Sequence, residues 1–145
     1  MKKQKSKFNG KIIKPSNKSE GNLGIQKNIT GYIAENNPPN FSLRYLQKGY
    51  CLDCCEKDEK AALSDKLFKL SQITWAEIKS LPRHGLGFEK ISRSCIKSSI
   101  PPHITDDVEL IAFRFCAKKP MVGYRKDSTF YLIWLDRTFK LYNHT

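Results

Sequence analysis

The sequence predicts an α+β domain in which an antiparallel sheet of three to five strands carries one long and one short helix on one face. The first observation is in the last third of the chain, where the runs VELIAFRF and TFYLIWL are mostly aliphatic, aromatic or Thr and contain no Gly or Pro. Such runs favour buried strands over helices. The second observation is a helical spacing of leucines in residues 58–72. One amphipathic helix beside apolar strands is typical of α+β domains.

Residues 1–40 are interpreted as a flexible basic arm. They hold eight lysines against two glutamates, a net charge of +6, among scattered Asn, Ser, Gly and Pro, and their hydrophobic residues are isolated or in pairs. Such a segment has too little apolar surface to offset the entropy of ordering it. The breaker NNPPN at residues 36–40 ends the arm, and residues 41–145 are predicted to form a single α+β domain.

The first elements of this domain are predicted to be one strand and two helices. Residues 41–46 alternate apolar and polar side chains like a half-buried strand. The helix at residues 58–72 has Asp58 as its expected N-cap and leucines at i, i+4 and i+7 that should face the sheet. Thr-Trp-Ala-Glu at residues 74–77 has the capping-box pattern, so a second, short helix is predicted up to Ser80.

The rest of the sheet is predicted from the second half of the chain. The expected strands are residues 88–91, 108–115, 121–125 and 129–135, with small polar residues for a turn at 126–128. Arg114, Arg125 and Asp136 stand at the ends of the three longer strands. Charged side chains are rarely buried without a partner, so these three are expected to mark a rim of the sheet.

The charge of the whole chain indicates a polyanionic partner. Lys and Arg number 26 against 14 acidic residues, which gives a net charge of +12. Nucleic acid, the ribosome, an acidic protein or an anionic membrane face would be attracted to such a surface, and the charge alone does not choose among them. No apolar run reaches the length of about eighteen residues that a membrane span needs, and no hydrophobic segment follows the lysines of the first seven residues. A soluble cytoplasmic protein without a membrane partner is therefore expected.

The five cysteines leave a metal site open as an alternative. Three of them lie in CLDCC at residues 51–55, and the C-x-x-C pair Cys51 and Cys54 can supply half of a zinc site. The other ligands would have to come from Cys95, Cys116, His84 or His103, because the sequence has no second C-x-x-C and no H-x-x-x-H. Reduced thiols without a metal are the simpler interpretation, and on it neither a metal nor another cofactor is expected.

From about residue 41 to 144 the order of elements resembles the RelE/ParE-type toxin superfamily of bacterial toxin-antitoxin proteins. The strongest part is FRFCAKKPMVGYRKDSTFYLIWLDRTFKLYNH, with Arg on one strand, Tyr-Arg at the end of the next, a hydrophobic strand and a polar C-terminus. The resemblance implies a RelE-like fold and a ribosome-dependent endoribonuclease that cuts mRNA in the decoding site. Members of another branch of the superfamily act on gyrase instead. For both branches the resemblance implies an inhibitory antitoxin, which is expected to be acidic. It further implies that Arg114 and Arg125 contact phosphate and that Tyr142 or His144 is the family's C-terminal Tyr or His.

Metal-free cleavage of RNA requires residue types that this sequence contains. A base must activate the ribose 2'-hydroxyl, cations must stabilise the charged phosphorane, and an acid must protonate the leaving 5'-oxygen. His144 or His84 is the candidate base or acid, and Arg114 with Arg125 would hold the phosphate. Tyr142 would stack on a base or donate a proton.

Each of these candidates also has a simpler interpretation. Arg114 and Asp136 would form an ion pair at the sheet edge, His84 would be a surface histidine in the loop RHGLG, and the Tyr-Asn-His segment would merely be exposed. The alternative function is then a non-catalytic module that binds RNA or a protein through its basic surface. A third alternative is an interaction module stabilised by zinc, which rests on Cys51 and Cys54 alone.

Overall fold

A computed structural model describes residues 33–144 of the chain, and its architecture is α+β, as predicted. Five strands form one sheet in the order β1-β5-β4-β3-β2. They are β1 (Asn40–Ser42), β2 (Glu89–Ile91), β3 (Leu110–Cys116), β4 (Lys119–Lys126) and β5 (Thr129–Leu135). Two short 3-10 turns, Leu52–Cys54 and Arg93–Cys95, lie in the connections.

The sheet is mixed, whereas a wholly antiparallel sheet was predicted. Strands β2 to β5 pair antiparallel, but β1 runs parallel to β5, with Asn40 opposite Thr129 and Ser42 opposite Tyr131. Parallel neighbours need a long crossover connection. Here the crossover contains both helices and the other strands. The alternation of apolar residues in β1 predicts a strand but carries no information about its partner, so the parallel pair had no signal in the sequence.

Two helices follow β1, α1 (Lys57–Leu70) and α2 (Trp75–Lys79). Helix α1 begins before the predicted N-cap Asp58 because Glu56 caps it, in a capping box with Glu59. A glutamate at the N-cap is outside the usual set of capping residues, which explains why the pattern pointed to Asp58 instead. Helix α2 has the predicted capping box, since Thr74 accepts a hydrogen bond from the backbone of Glu77 and the Glu77 side chain accepts one from Thr74.

Both faces of the sheet are covered. Helices α1 and α2 pack on the first face, which we call the helix face, through Leu63, Leu70, Trp75 and Ile78. The opposite face, which we call the tail face, is covered by Ile104 from the connection before β3 and by Leu141 and Tyr142 from the segment after β5. The segments that cover the tail face are irregular, and they bring the C-terminal residues next to the sheet.

One buried carboxylate joins three parts of the fold. Glu59 of α1 is 1% exposed. Its carboxylate lies 2.8 Å from the ammonium of Lys119 at the start of β4, and it also accepts a hydrogen bond from the guanidinium of Arg137 after β5. The same group accepts a hydrogen bond of 2.7 Å from the backbone N–H of Glu56. Glu59 therefore links the start of α1 to the end of the central hairpin.

Residues 33–39, which were assigned to the basic arm, contact the domain. Ala34 and Pro39 are buried, and the carboxylate of Glu35 lies 2.7 Å from Arg125 and 2.9 Å from Lys79. The remainder of the predicted arm, residues 1–32, lies outside the described residues. Within residues 33–144, no helix is both long enough and apolar enough to cross a membrane.

Candidate functional site

A cavity of about 610 Å³ opens beside the C-terminal half of β3. Strand β2 pairs only with residues 110–112, so the following part of β3 is an edge. The C-terminal segment and the turn Arg93–Cys95 border this edge. The cavity is lined by Glu89, Cys95, Arg114, Lys118, Tyr142 and His144, among others. Three of the five site residues predicted from the sequence, Arg114, Tyr142 and His144, therefore lie in one cavity.

Arg114 supplies a positive charge that the described residues do not neutralise. Phe113 and Phe115 pack on the helix face, so the alternation of β3 directs Arg114 towards the tail face, where Tyr142 lies. Within residues 33–144, no carboxylate forms an ion pair with Arg114, and the predicted pair with Asp136 is not formed. Lys118, in the turn between β3 and β4, also has no ion-pair partner in this part of the chain. A cavity with two such cations attracts an anion.

His144 is held in place by a buried carboxylate. Asp136 is fully buried at the end of β5 and accepts backbone hydrogen bonds from Lys140 at 2.9 Å and Leu141 at 3.1 Å. One of its oxygens lies 3.3 Å from Nε2 of His144. An ionised carboxylate can only accept, so Nε2 carries the hydrogen and the neutral ring keeps its lone pair on Nδ1. This arrangement suits a general base, because Asp136 fixes the tautomer and the orientation of the ring.

Tyr142 is a hydrogen-bond donor in this site. Its ring packs against His144 with a centroid distance of 4.0 Å, and its hydroxyl lies 3.5 Å from the carboxylate of Glu89. Burial, and then the negative charge of Glu89, raises the pKa of Tyr142 well above its ordinary value. The phenol therefore stays protonated at neutral pH. Glu89 is in turn paired with Arg83 at 2.6 Å, so both of these charges are already partnered.

Arg125 lies on the other side of the sheet. Its guanidinium is 4.3 Å from the ring centre of Trp75 on the helix face and 2.7 Å from the carboxylate of Glu35. In the register, Arg125 of β4 is opposite Phe130, whereas Arg114 is opposite Pro120, five positions earlier along the same strand. Five residues of strand span about 17 Å. Antiparallel neighbours run in opposite directions, so the C-terminal ends of β3 and β4 lie at opposite ends of the sheet. Arg114 and Arg125 therefore do not converge on one phosphate.

His84 is not among the residues that line the cavity. It is exposed in the loop between α2 and β2, whereas its neighbour Arg83 reaches the cavity and binds Glu89. Sequence reasoning passed over Lys118, Glu89 and Phe139, which do line it. Lys118 is in a two-residue turn and Phe139 in a polar stretch, so neither had a pattern that distinguishes it from a surface residue.

The cysteine cluster is a group of possible metal ligands that lies away from the cavity. Cys51, Asp53 and Cys54 place their sulfur and carboxylate oxygen atoms within 4.8 Å of one another. Both thiols donate hydrogen bonds to Asp53, and that from Cys54 measures 3.6 Å. Cys55 is buried and belongs to the core of the helix face. Among residues 33–144, none of Cys95, Cys116, His84 and His103 joins this group.

Comparisons with models of protein families, with curated proteins and with solved structures found no significant match to this chain.

Proposed function

We propose that the protein is a toxin-type, ribosome-associated endoribonuclease that cleaves mRNA without a metal ion in the cavity beside β3. One observation carries this proposal. The unpaired guanidinium of Arg114 and the imidazole of His144, held by buried Asp136, open into the same cavity. A cation for a phosphate and an oriented base are the two groups that cleavage by the ribose 2'-hydroxyl needs first.

The cavity has features that suit a single-stranded nucleotide. Arg114 and Lys118 provide charge for the phosphate. Phe139 lies on the lining with 42% of its surface exposed and packs edge-on against His144 at 4.9 Å. Exposed aromatic rings next to cationic side chains are typical of surfaces on which unpaired bases stack. Phe139 also has a φ of 58°, a conformation that is uncommon for a bulky residue and that is concentrated at functional sites.

The proposed reaction is an intramolecular transesterification, in which the phosphoryl group passes from the 5'-oxygen to the 2'-oxygen of the RNA. Nδ1 of His144 takes the proton of the 2'-hydroxyl, and the 2'-oxygen forms a bond to phosphorus while the bond from phosphorus to the 5'-oxygen breaks. Arg114 stabilises the negative charge of the phosphorane. The ammonium of Lys118 donates the proton that the leaving 5'-oxygen takes up. The products are a 2',3'-cyclic phosphate and a 5'-hydroxyl, and proton exchange with water restores both side chains.

A non-catalytic RNA-binding module is the second candidate. The observation that favours it is the position of Arg125, which is paired with Glu35 and stacked on Trp75. Of the two arginines that the resemblance implies, only Arg114 then lies in the cavity. Binding to RNA needs only the positive charge of the cavity and the exposed ring of Phe139, so it would be retained without His144 as a general base.

The two candidates differ in their response to a substrate that lacks the attacking group. We expect the protein to cleave RNA, free or as mRNA on ribosomes, in the presence of a metal chelator and to leave a 2',3'-cyclic phosphate. An RNA with a single 2'-deoxyribose at the cleavage position should be bound with similar affinity but should not be cut there. Binding of both RNAs without cleavage of either would favour the non-catalytic module, and cleavage of the deoxy substrate at that position would exclude the proposed chemistry.

The first 32 residues of the basic arm should strengthen RNA binding by charge alone. Residues 1–32 contain eight lysines and one glutamate. Their deletion should raise the Kd for RNA and should flatten its dependence on salt concentration, because fewer counterions are released on binding. The melting temperature should stay nearly unchanged, and calorimetry together with binding titrations at several salt concentrations would measure both effects.

A longer deletion provides the control. Removing residues 1–40 also removes Glu35, which binds Arg125 and Lys79, and Asn40 of β1. This variant should lose both RNA affinity and thermal stability. If the shorter deletion lowers the melting temperature as much as the longer one, residues 1–32 contribute to the fold and the interpretation as a dispensable arm is wrong.

A further inference from the structure

The turn that connects β1 to α1 has a second constellation, separate from the cavity. Cys51 precedes the 3-10 turn Leu52–Cys54 as its N-cap residue, and Cys54 is its last residue. Side chains three residues apart eclipse one another on a 3-10 helix, so the two sulfurs lie on one side of the turn. Asp53 is exposed between them, and its carboxylate accepts a hydrogen bond from each thiol.

We propose that Cys51, Asp53 and Cys54 form a three-ligand site for a zinc-type divalent cation, with the fourth position open to solvent. Two thiolates and one carboxylate are ligands that Zn²⁺ accepts, and sulfur ligands favour it over Mg²⁺ or Ca²⁺. In a tetrahedral site with Zn–S bonds of about 2.3 Å, ligand atoms are about 3.8 Å apart. The three ligand atoms already lie within 4.8 Å of one another, so adjustment of side chains is enough to reach this spacing.

The hydrogen bonds in the cluster show how the cation would enter. Each thiol now points its hydrogen at the Asp53 carboxylate, and a cation would take the place of both hydrogens between the same three side chains. Cys55 stays outside the site because its sulfur is buried in the core and lies 3.8 Å from the carbonyl oxygen of Cys51. The site is reached directly from solvent, since Asp53 is exposed.

A cation at this position would stiffen the connection between sheet and helix. Just before the cluster, Gln47 donates a hydrogen bond to Ile133, and Tyr50 accepts one from Leu135. Helix α1 begins two residues after Cys55. The site therefore lies between a segment fixed to β5 and the first turn of α1. It is independent of the ribonuclease proposal, because none of its ligands lines the cavity.

The test is a metal titration of the reduced full-length protein. Co²⁺ is added first, and the absorption of thiolate-bound cobalt is followed. Zn²⁺ is then added to displace it. We expect one metal ion per chain. Cys51→Ser and Cys54→Ser should each weaken binding by more than about 100-fold, which exceeds the usual effect of losing an outer-shell partner, and Asp53→Asn by about tenfold. Circular dichroism of each variant shows whether the fold is retained.

Cys95→Ser is the matched control. Like Cys54, Cys95 is a free cysteine at the last position of a 3-10 turn, Arg93–Cys95, but in the part of the chain that the structure describes it belongs to no group of three possible metal ligands. This variant should bind one metal ion with unchanged affinity. The proposal is overturned if the reduced protein binds less than one ion, if folded Cys51→Ser or Cys54→Ser keeps the affinity, or if Asp53→Asn binds as tightly as the unchanged chain.

Discussion

Replacement of Arg114 by alanine should lower kcat/KM for RNA cleavage by about 100- to 1000-fold, the usual effect of removing one group that stabilises the charged transition state. Arg114 is the arginine of the cavity without an ion pair among residues 33–144, so its full charge is available to the phosphorane. The variant should also bind RNA more weakly, and the slope of log Kd against log salt should fall by about one. Single-turnover cleavage and binding titrations separate the two effects.

Arg125→Ala is the matched control, since it removes the same side chain from the other face of the sheet. It should lower the melting temperature, because Trp75 loses its stacked cation and Glu35 keeps only Lys79 as a partner among residues 33–144, but it should change kcat/KM by no more than a few-fold. An equal loss of cleavage in a folded Arg125→Ala protein would contradict our assignment and favour the two-arginine site that the resemblance implies. A folded Arg114→Ala protein with normal cleavage would remove Arg114 from the mechanism.

The fold was predictable where a single pattern decides the structure. Strand β5 begins at Thr129 and ends at Leu135, as the run TFYLIWL predicts, because a short run of apolar, aromatic and β-branched residues without breakers favours a strand, and five of its seven residues are buried. The capping box of α2 was also visible in the sequence. Strand β1 is shorter than the predicted residues 41–46, since the chain turns at Leu43, whose carbonyl accepts a hydrogen bond from Leu46. Turns of this kind compete with strands and leave little signal in an alternating pattern.

The site was predictable only in part, because the register of the strands and the path of the C-terminal segment decide which of the predicted side chains lie close together. Arg114 lies near the end of β3, and the sequence did not show that the C-terminal segment folds back to bring His144 beside the same edge. The link is Asp136, which was considered as an ion-pair partner of Arg114 but binds His144 and two backbone N–H groups instead. From the sequence, a buried carboxylate that accepts hydrogen bonds from backbone N–H groups a few residues later cannot be distinguished from an exposed charge at the end of a strand.

The second large effect concerns stability rather than activity, and it arises at Glu59. Burial alone would raise the pKa of this carboxyl group, but the hydrogen bonds from Lys119, the Glu56 backbone and Arg137 outweigh it and lower the pKa from 4.5 to about 2. A pKa of Glu59 that is this much lower in the folded than in the unfolded chain corresponds to about 3 kcal/mol of stability at neutral pH. Because the folded pKa is the lower one, this contribution is complete above pH 4.5 and disappears as the pH falls towards 2.

Glu59→Gln should therefore lower the free energy of unfolding by about 3 kcal/mol at pH 7, since it leaves Lys119 and Arg137 without their buried partner. Denaturant titrations of both proteins should show this difference narrowing below pH 4.5 and nearly vanishing by pH 2. Asp65→Asn, which breaks the exposed pair with Lys69 on the same helix, should change stability by less than about 0.5 kcal/mol. A Glu59→Gln difference that stays constant between pH 7 and pH 2 would show that packing, and not the charge of Glu59, stabilises the end of the hairpin.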